Sequence, residues 1–86
     1  MIEEEISLEV TTSDKFLSMP FDAQTLYFRL ALGSSDDGIV GFSMVKEIMQ
    51  RISVEDSALD TLSKNGFTVI TERGIRVRLR ANEGEN

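Results

Sequence analysis

Phe67-Thr68-Val69-Ile70-Thr71-Glu72-Arg73-Gly74-Ile75-Arg76-Val77-Arg78-Leu79-Arg80 is the stretch that decides the fold. Two runs rich in β-branched residues flank Glu72-Arg73-Gly74, a short turn containing glycine, and this pattern predicts a β-hairpin. In the second run the apolar residues Ile75, Val77 and Leu79 alternate with Arg76, Arg78 and Arg80. Side chains alternate across a strand, so the run has one core face and one arginine face. Four of the chain's nine basic residues lie between Arg73 and Arg80, in a sequence of 86 residues with net charge −6.

The segments before the hairpin read as helices. Ala23, Leu26, Tyr27, Leu30 and Ala31 form one apolar stripe at helical period, which predicts a helix over 21–32. Gly33 supplies its stop. Ser34-Ser35-Asp36-Asp37-Gly38 is a turn, and Ile39-Val40-Gly41-Phe42 has the composition of a short strand. Ser43 is placed to cap a helix from Met44 to Arg51, whose stripe is Val45, Ile48, Met49 and Ile52. Ser53-Val54-Glu55-Asp56 resembles a capping box and opens a further helix to about Lys64, burying Val54, Ala58, Leu59 and Leu62. Asn65-Gly66 closes it. Only two or three residues separate these helices, the spacing of a helix-turn-helix.

The order helix, short strand, helix, helix, strand, strand is that of a winged helix-turn-helix: an α+β fold of three helices with a small antiparallel sheet and the hairpin as wing. Near the start, Ile6, Leu8 and Val10 alternate with Ser7 and Glu9 and predict an N-terminal strand. Ser13 or Thr12 is placed to cap one helical turn through Phe16 and Leu17, and Pro20 ends that turn. Residues 1–80 are expected to form one winged-helix domain, and residues 81–86 a flexible acidic tail. Phe21, Tyr27, Phe28, Phe42 and Phe67 are assigned to the core, with Phe16 partly exposed. Met19, Met44 and Met49 read as core filling or as a soft partner surface.

The first block of the chain resembles a known family. Ser-Asp-Lys-Phe-Leu-Ser-Met-Pro-Phe-Asp-Ala-Gln-Thr-Leu-Tyr-Phe-Arg-Leu (13–30) is similar to the opening of phage replisome-organiser proteins of Gram-positive bacteria, roughly S-D-x-F-L-x-M-P-x-x-A-Q-x-L-Y-F-x-L. Asp36-Asp37-Gly38-Ile39-Val40 resembles the family's turn and strand, and residues 56–67 its D-D-L-x-x-L-x-x-x-G-F. The resemblance covers residues 10–80. It implies a winged-helix module of phage or prophage origin, used in replication initiation to bind DNA or to organise protein partners. The family continues into a basic and aromatic segment, whereas here Ala81-Asn82-Glu83-Gly84-Glu85-Asn86 follows, so helicase loading is not carried over.

Composition bounds the function further. Between Ser13 and Arg80 there are nine acids and nine bases, so this body is formally neutral. The six surplus acids are Glu3, Glu4, Glu5 and Glu9 at one end and Glu83 and Glu85 at the other. No apolar run approaches the roughly 18 residues that span a bilayer, so no membrane partner is expected. There is no cysteine, hence no disulfide framework, and a cytoplasmic location is expected.

Without histidine or cysteine the usual catalytic triads, thiolate nucleophiles and zinc sites are absent. No enzyme activity, metal or cofactor is expected. Asp36-Asp37 reads as a polar turn in which Gly38 takes a positive φ. The candidate DNA-binding residues are Arg73, Arg76, Arg78 and Arg80 on the wing, with Ser57, Thr61 and Lys64 on the second helix of the helix-turn-helix. Successive arginine roots lie roughly 6.5–7 Å apart, close to the spacing of phosphates along one DNA strand.

Two features oppose that reading. Glu55, Asp56 and Asp60 share the outward face of the same helix and repel phosphate. Glu3, Glu4, Glu5 or Glu9 can pair with the wing arginines if the N-terminal strand lies beside them. The partners left open are double-stranded DNA, and a protein partner or second copy that uses the fold without DNA. An exposed patch around Phe28, Leu32 and Met44 would serve the latter.

Overall fold

Each helix is set by an identifiable start or stop. The computed structural model describes residues 8–79. In chain order the elements are α1 (Leu8–Thr11), α2 (Asp14–Leu17), α3 (Phe21–Leu32), β1 (Ile39–Val40), α4 (Phe42–Arg51), α5 (Asp56–Lys64), β2 (Thr68–Ile70) and β3 (Ile75–Val77). The fold is α+β. The three expected helices are present as α3, α4 and α5, and two one-turn helices precede them, making five among the described residues.

The extra turns change the expected N-terminus. Leu8, Glu9 and Val10 are helical rather than extended, and the rest of the expected strand lies outside the described residues. The Ser13 hydroxyl explains the geometry: it donates to the Val10 carbonyl at 2.8 Å and accepts the Phe16 amide at 3.2 Å. One side chain thus closes α1 and caps α2, as a serine N-cap does. Alternation is a strand period and does not hold one helix face, so the local hydrogen bonding at Ser13 overrides the pattern here.

Pro20 fixes the start of α3, and Gly33 follows its last residue. The buried residues are Ala23, Leu26, Tyr27, Leu30 and Ala31, the stripe expected from the sequence. Helix α4 begins at Phe42, with Gly41 at the N-cap, so Ser43 lies inside the first turn and is not the cap. Its closure displaces the expected capping box. Ser53 takes a left-handed φ of 59°, with its amide on the Gln50 carbonyl and the Val54 amide on the Met49 carbonyl. That is a Schellman ending, and a residue so held cannot also cap the next helix. Glu55 occupies the N-cap of α5, with no side-chain bond. The end of α5 repeats the motif in the more usual way, with Gly66 at φ 81° and the Phe67 amide on Leu62.

The sheet is antiparallel in the order β1-β3-β2. Strand β3 is central, pairing Ile39 with Arg76 and Val40 with Ile75 on one side, and Thr68 with Val77, Val69 with Arg76 and Ile70 with Ile75 on the other. Gly74 makes the hairpin possible. Its φ is 152°, and a Cβ there would fall 2.1 Å from the Val40 carbonyl oxygen. Only a residue without Cβ lets the turn approach β1 so closely.

The core joins both ends of the chain. Phe16, Tyr27 and Phe67 meet edge to face, with centroids 5.1 Å, 5.5 Å and 6.0 Å apart. Such contacts contribute about 0.5–1.5 kcal/mol each beyond area burial. Phe16 is therefore fully buried, not partly exposed. Conversely, Phe21, Phe28 and Phe42 are exposed rather than core, because they fall off the stripes that face the interior. Met19 and Met49 are buried and Met44 is exposed.

Candidate nucleic-acid interface

The arginine face is built by β3 and the turn before it. Ile75, Val77 and Leu79 are buried and Arg76 is exposed, so the expected alternation holds along the described strand. Arg80 lies outside the described residues. The three described arginines occupy different environments.

Arg73, at the hairpin tip, is bound to the turn before β1. Its guanidinium contacts the Asp37 carboxylate at 2.6 Å. The Ser35 hydroxyl donates to the other carboxylate oxygen. The Ser35 hydrogen bond first, and the Arg73 hydrogen bond second, hold the Asp37 carboxyl below the usual carboxylate range. The expected turn at 34–38 is thus present, with Gly38 at φ 80°, and it also neutralises one of the candidate DNA contacts. The sequence carries no local signal for this pairing, because its partners are 36 residues apart.

Arg76 stands in the middle of the outer sheet face, between Ile39 and Val69 in the register. Its guanidinium has no hydrogen bond or ion pair among the described residues. With Asp37, Ile39, Thr71, Glu72 and Arg73 it lines an open groove of about 520 Å³. Two arginines and two acids share this groove, so its wall is not uniformly basic.

Arg78 is half-buried. Its amide donates to the Phe67 carbonyl at 2.8 Å and its carbonyl accepts the Tyr27 hydroxyl at 2.5 Å. It borders a second, smaller groove with Val10, Ser13, Lys15 and Phe67. Arg78 is thus tied through its backbone to the core.

Ser57, Thr61 and Lys64 fall at i, i+4 and i+7 of α5 and share one face, as expected. The Thr61 hydroxyl donates back to the Ser57 carbonyl at 2.9 Å, so it is committed to the helix. Lys64 is exposed in the last turn. Glu55 at the N-cap and Asp56 in the first turn are exposed where the helix dipole favours negative charge, and Asp60 is exposed at mid-helix. The exposed surface of α5 therefore carries acids in its first half and one lysine in its last turn.

Leu8–Val10 being helical, none of the described N-terminal residues forms a strand beside the hairpin. Glu9 is exposed on α1, and Glu3, Glu4 and Glu5 lie outside the described residues. No helix among the described residues is long and apolar enough to cross a membrane. The chain matches no protein-family model, no curated protein and no solved structure.

Proposed function

We propose that this chain is a winged-helix module, of the kind used in phage replication initiation, that works through protein contacts rather than by gripping duplex DNA. The connectivity α3-β1-α4-α5-β2-β3 with sheet order β1-β3-β2 supports the winged-helix reading. The short link from Ile52 to Glu55 between α4 and α5 supports it too.

The observation that carries the choice of partner is the distribution of acids on the surfaces a winged helix turns towards DNA. Glu55, Asp56 and Asp60 are exposed on α5, and the tip arginine is neutralised by Asp37. A carboxylate 4 Å from a phosphate is repelled by about 1 kcal/mol in water and by about 4 kcal/mol at the effective dielectric of a protein surface. Three such groups outweigh a single lysine on the same helix. At the same time Leu17, Phe21, Phe28, Leu32, Phe42 and Met44 are exposed apolar side chains, which suits a protein surface better than a phosphate backbone.

The second reading is duplex binding by the wing, with Arg76 and Arg78 on phosphates and Ser57, Thr61 and Lys64 near the groove. The exposed, unbonded guanidinium of Arg76 favours it. Titrating labelled mixed-sequence duplex DNA by fluorescence anisotropy at low salt separates the two. The interaction reading expects no saturation at tens of micromolar protein. Saturable binding that Arg76→Glu plus Arg78→Glu abolishes would overturn it in favour of the second.

A further inference from the structure

The outer face of α3 carries a second, largely exposed stripe, with the ring of Phe28 resting edge to face on Phe16 of α2. Phe21, Thr25, Phe28 and Leu32 are spaced four, three and four residues apart, the a/d spacing of a helix that packs along a partner helix. Their side chains lie opposite the buried stripe of Ala23, Leu26, Tyr27, Leu30 and Ala31. Phe21 is 83% exposed, Leu32 57% and Phe28 41%. We infer that this face is the dimerisation surface of the chain, occupied by α3 of a second copy running antiparallel. The inference rests on the interaction reading above and names the partner.

Charge selects the occupant. Asp22 and Arg29 are the only charged residues of α3 and are seven positions apart on one flank of the stripe, about 10 Å along the axis. Both are exposed and neither has an ion-pair partner among the described residues. A uniformly acidic or basic partner would be repelled by one of them. A two-fold copy centred on the stripe brings Asp22 of each chain to Arg29 of the other, because the midpoint of the charged pair lies within one residue of the midpoint of the stripe. A parallel two-fold copy would put these flanks on opposite edges of the seam and leave both charges unpaired. Both contacts are isologous, as a closed dimer requires.

The area suffices for a modest dimer. Phe21, Phe28 and Leu32 together expose nearly two residues' worth of surface, roughly 300–400 Å² per copy at aromatic side-chain size. Two copies with their flanking residues reach about 1,000 Å², where specific interfaces begin.

Sedimentation equilibrium tests this on the 86-residue chain. The average mass should climb from 9.6 kDa towards twice that value as concentration rises through the micromolar range. Phe21→Ser with Leu32→Ser should abolish the rise and leave the thermal midpoint of the dilute monomer unchanged, since both side chains face outward. Asp22→Arg and Arg29→Asp should each weaken association about tenfold, because two attractive pairs become repulsive. The double swap should restore it.

A mass fixed at 9.6 kDa up to hundreds of micromolar overturns the inference. So does association indifferent to the charge swaps, or a monomer that Phe21→Ser destabilises, which would mean the chain covers its own helix. The DNA titration reads the other question separately. A monomer that ignores duplex refutes the dimer alone, and a dimer that binds duplex refutes the interaction reading alone.

Discussion

Gly74→Ala probes the contact that closes the hairpin on β1. The methyl group would meet two penalties. A φ of 152° is a region that L side chains rarely adopt, and holding a residue there costs about 1–3 kcal/mol. In addition, the new Cβ would sit 2.1 Å from the Val40 oxygen, 2.8 Å from the Val40 carbonyl carbon and 2.9 Å from the Gly41 Cα. These are backbone atoms, so no side chain can swing aside, and the Val40–Ile75 pairing of β1 and β3 must open. Overpacking of this kind adds about 1–3 kcal/mol.

The expected total is about 2–6 kcal/mol, against roughly 4–13 kcal/mol for a domain of this size. Thermal unfolding followed by circular dichroism should show the midpoint falling by at least about 8 °C. Two other glycines separate the causes. Gly66 has a left-handed φ but nothing within 4 Å of its Cβ position, so Gly66→Ala should cost only about 1–2 kcal/mol. Gly41 has φ −61° and open space around it. There the lost freedom of the unfolded chain offsets a poorer N-cap, and Gly41→Ala should change stability by no more than about 0.5 kcal/mol. A Gly74→Ala protein that melts within a few degrees of the parent, or a Gly66→Ala that loses as much, would refute the close-approach reasoning.

Tyr27→Phe should cost about 1–2 kcal/mol in urea unfolding, since it strips the Arg78 carbonyl of its hydroxyl partner while leaving the ring packed. Asp37 gives a pH-dependent prediction. Its carboxyl ionises below the ordinary range in the folded chain, so the stability it contributes is present at neutral pH. That contribution is lost only as pH falls below about 4 and through the lowered folded value. Carboxyl-detected NMR titration should show Ser35→Ala raising the Asp37 midpoint more than Arg73→Gln does, since the serine bond is the larger cause. The reverse order would show that the ion pair governs.

Periodicity carried most of the core. The α3 stripe and the alternation of Ile75, Val77 and Leu79 were legible because each repeats over enough residues to point one way. One-turn elements carry no such repeat. Phe16 looked peripheral until α2 set it against Phe67, and Phe21 and Phe28 looked like core because hydrophobicity alone does not say which side of a helix faces in. Ser53 had a capping sequence, but the preceding helix uses it first for its own ending. On the hairpin, the arginine face could be read from the strand period. The fate of Arg73 could not, since Asp37 is brought to it only by the pairing of β1 with β3.

The aromatic triangle of Phe16, Tyr27 and Phe67, together with the Tyr27–Arg78 hydrogen bond, has a consequence for synthesis. The first half of each contact leaves the ribosome long before the second, because Tyr27 and Arg78 are 51 residues apart. Phe16 and the ring of Tyr27 must therefore wait in water until the hairpin has emerged, and chains released before Phe67 cannot fill their own core. Packing of this core can be completed only after the hairpin has emerged, and until then the N-terminal half exposes the apolar surface that the hairpin later covers.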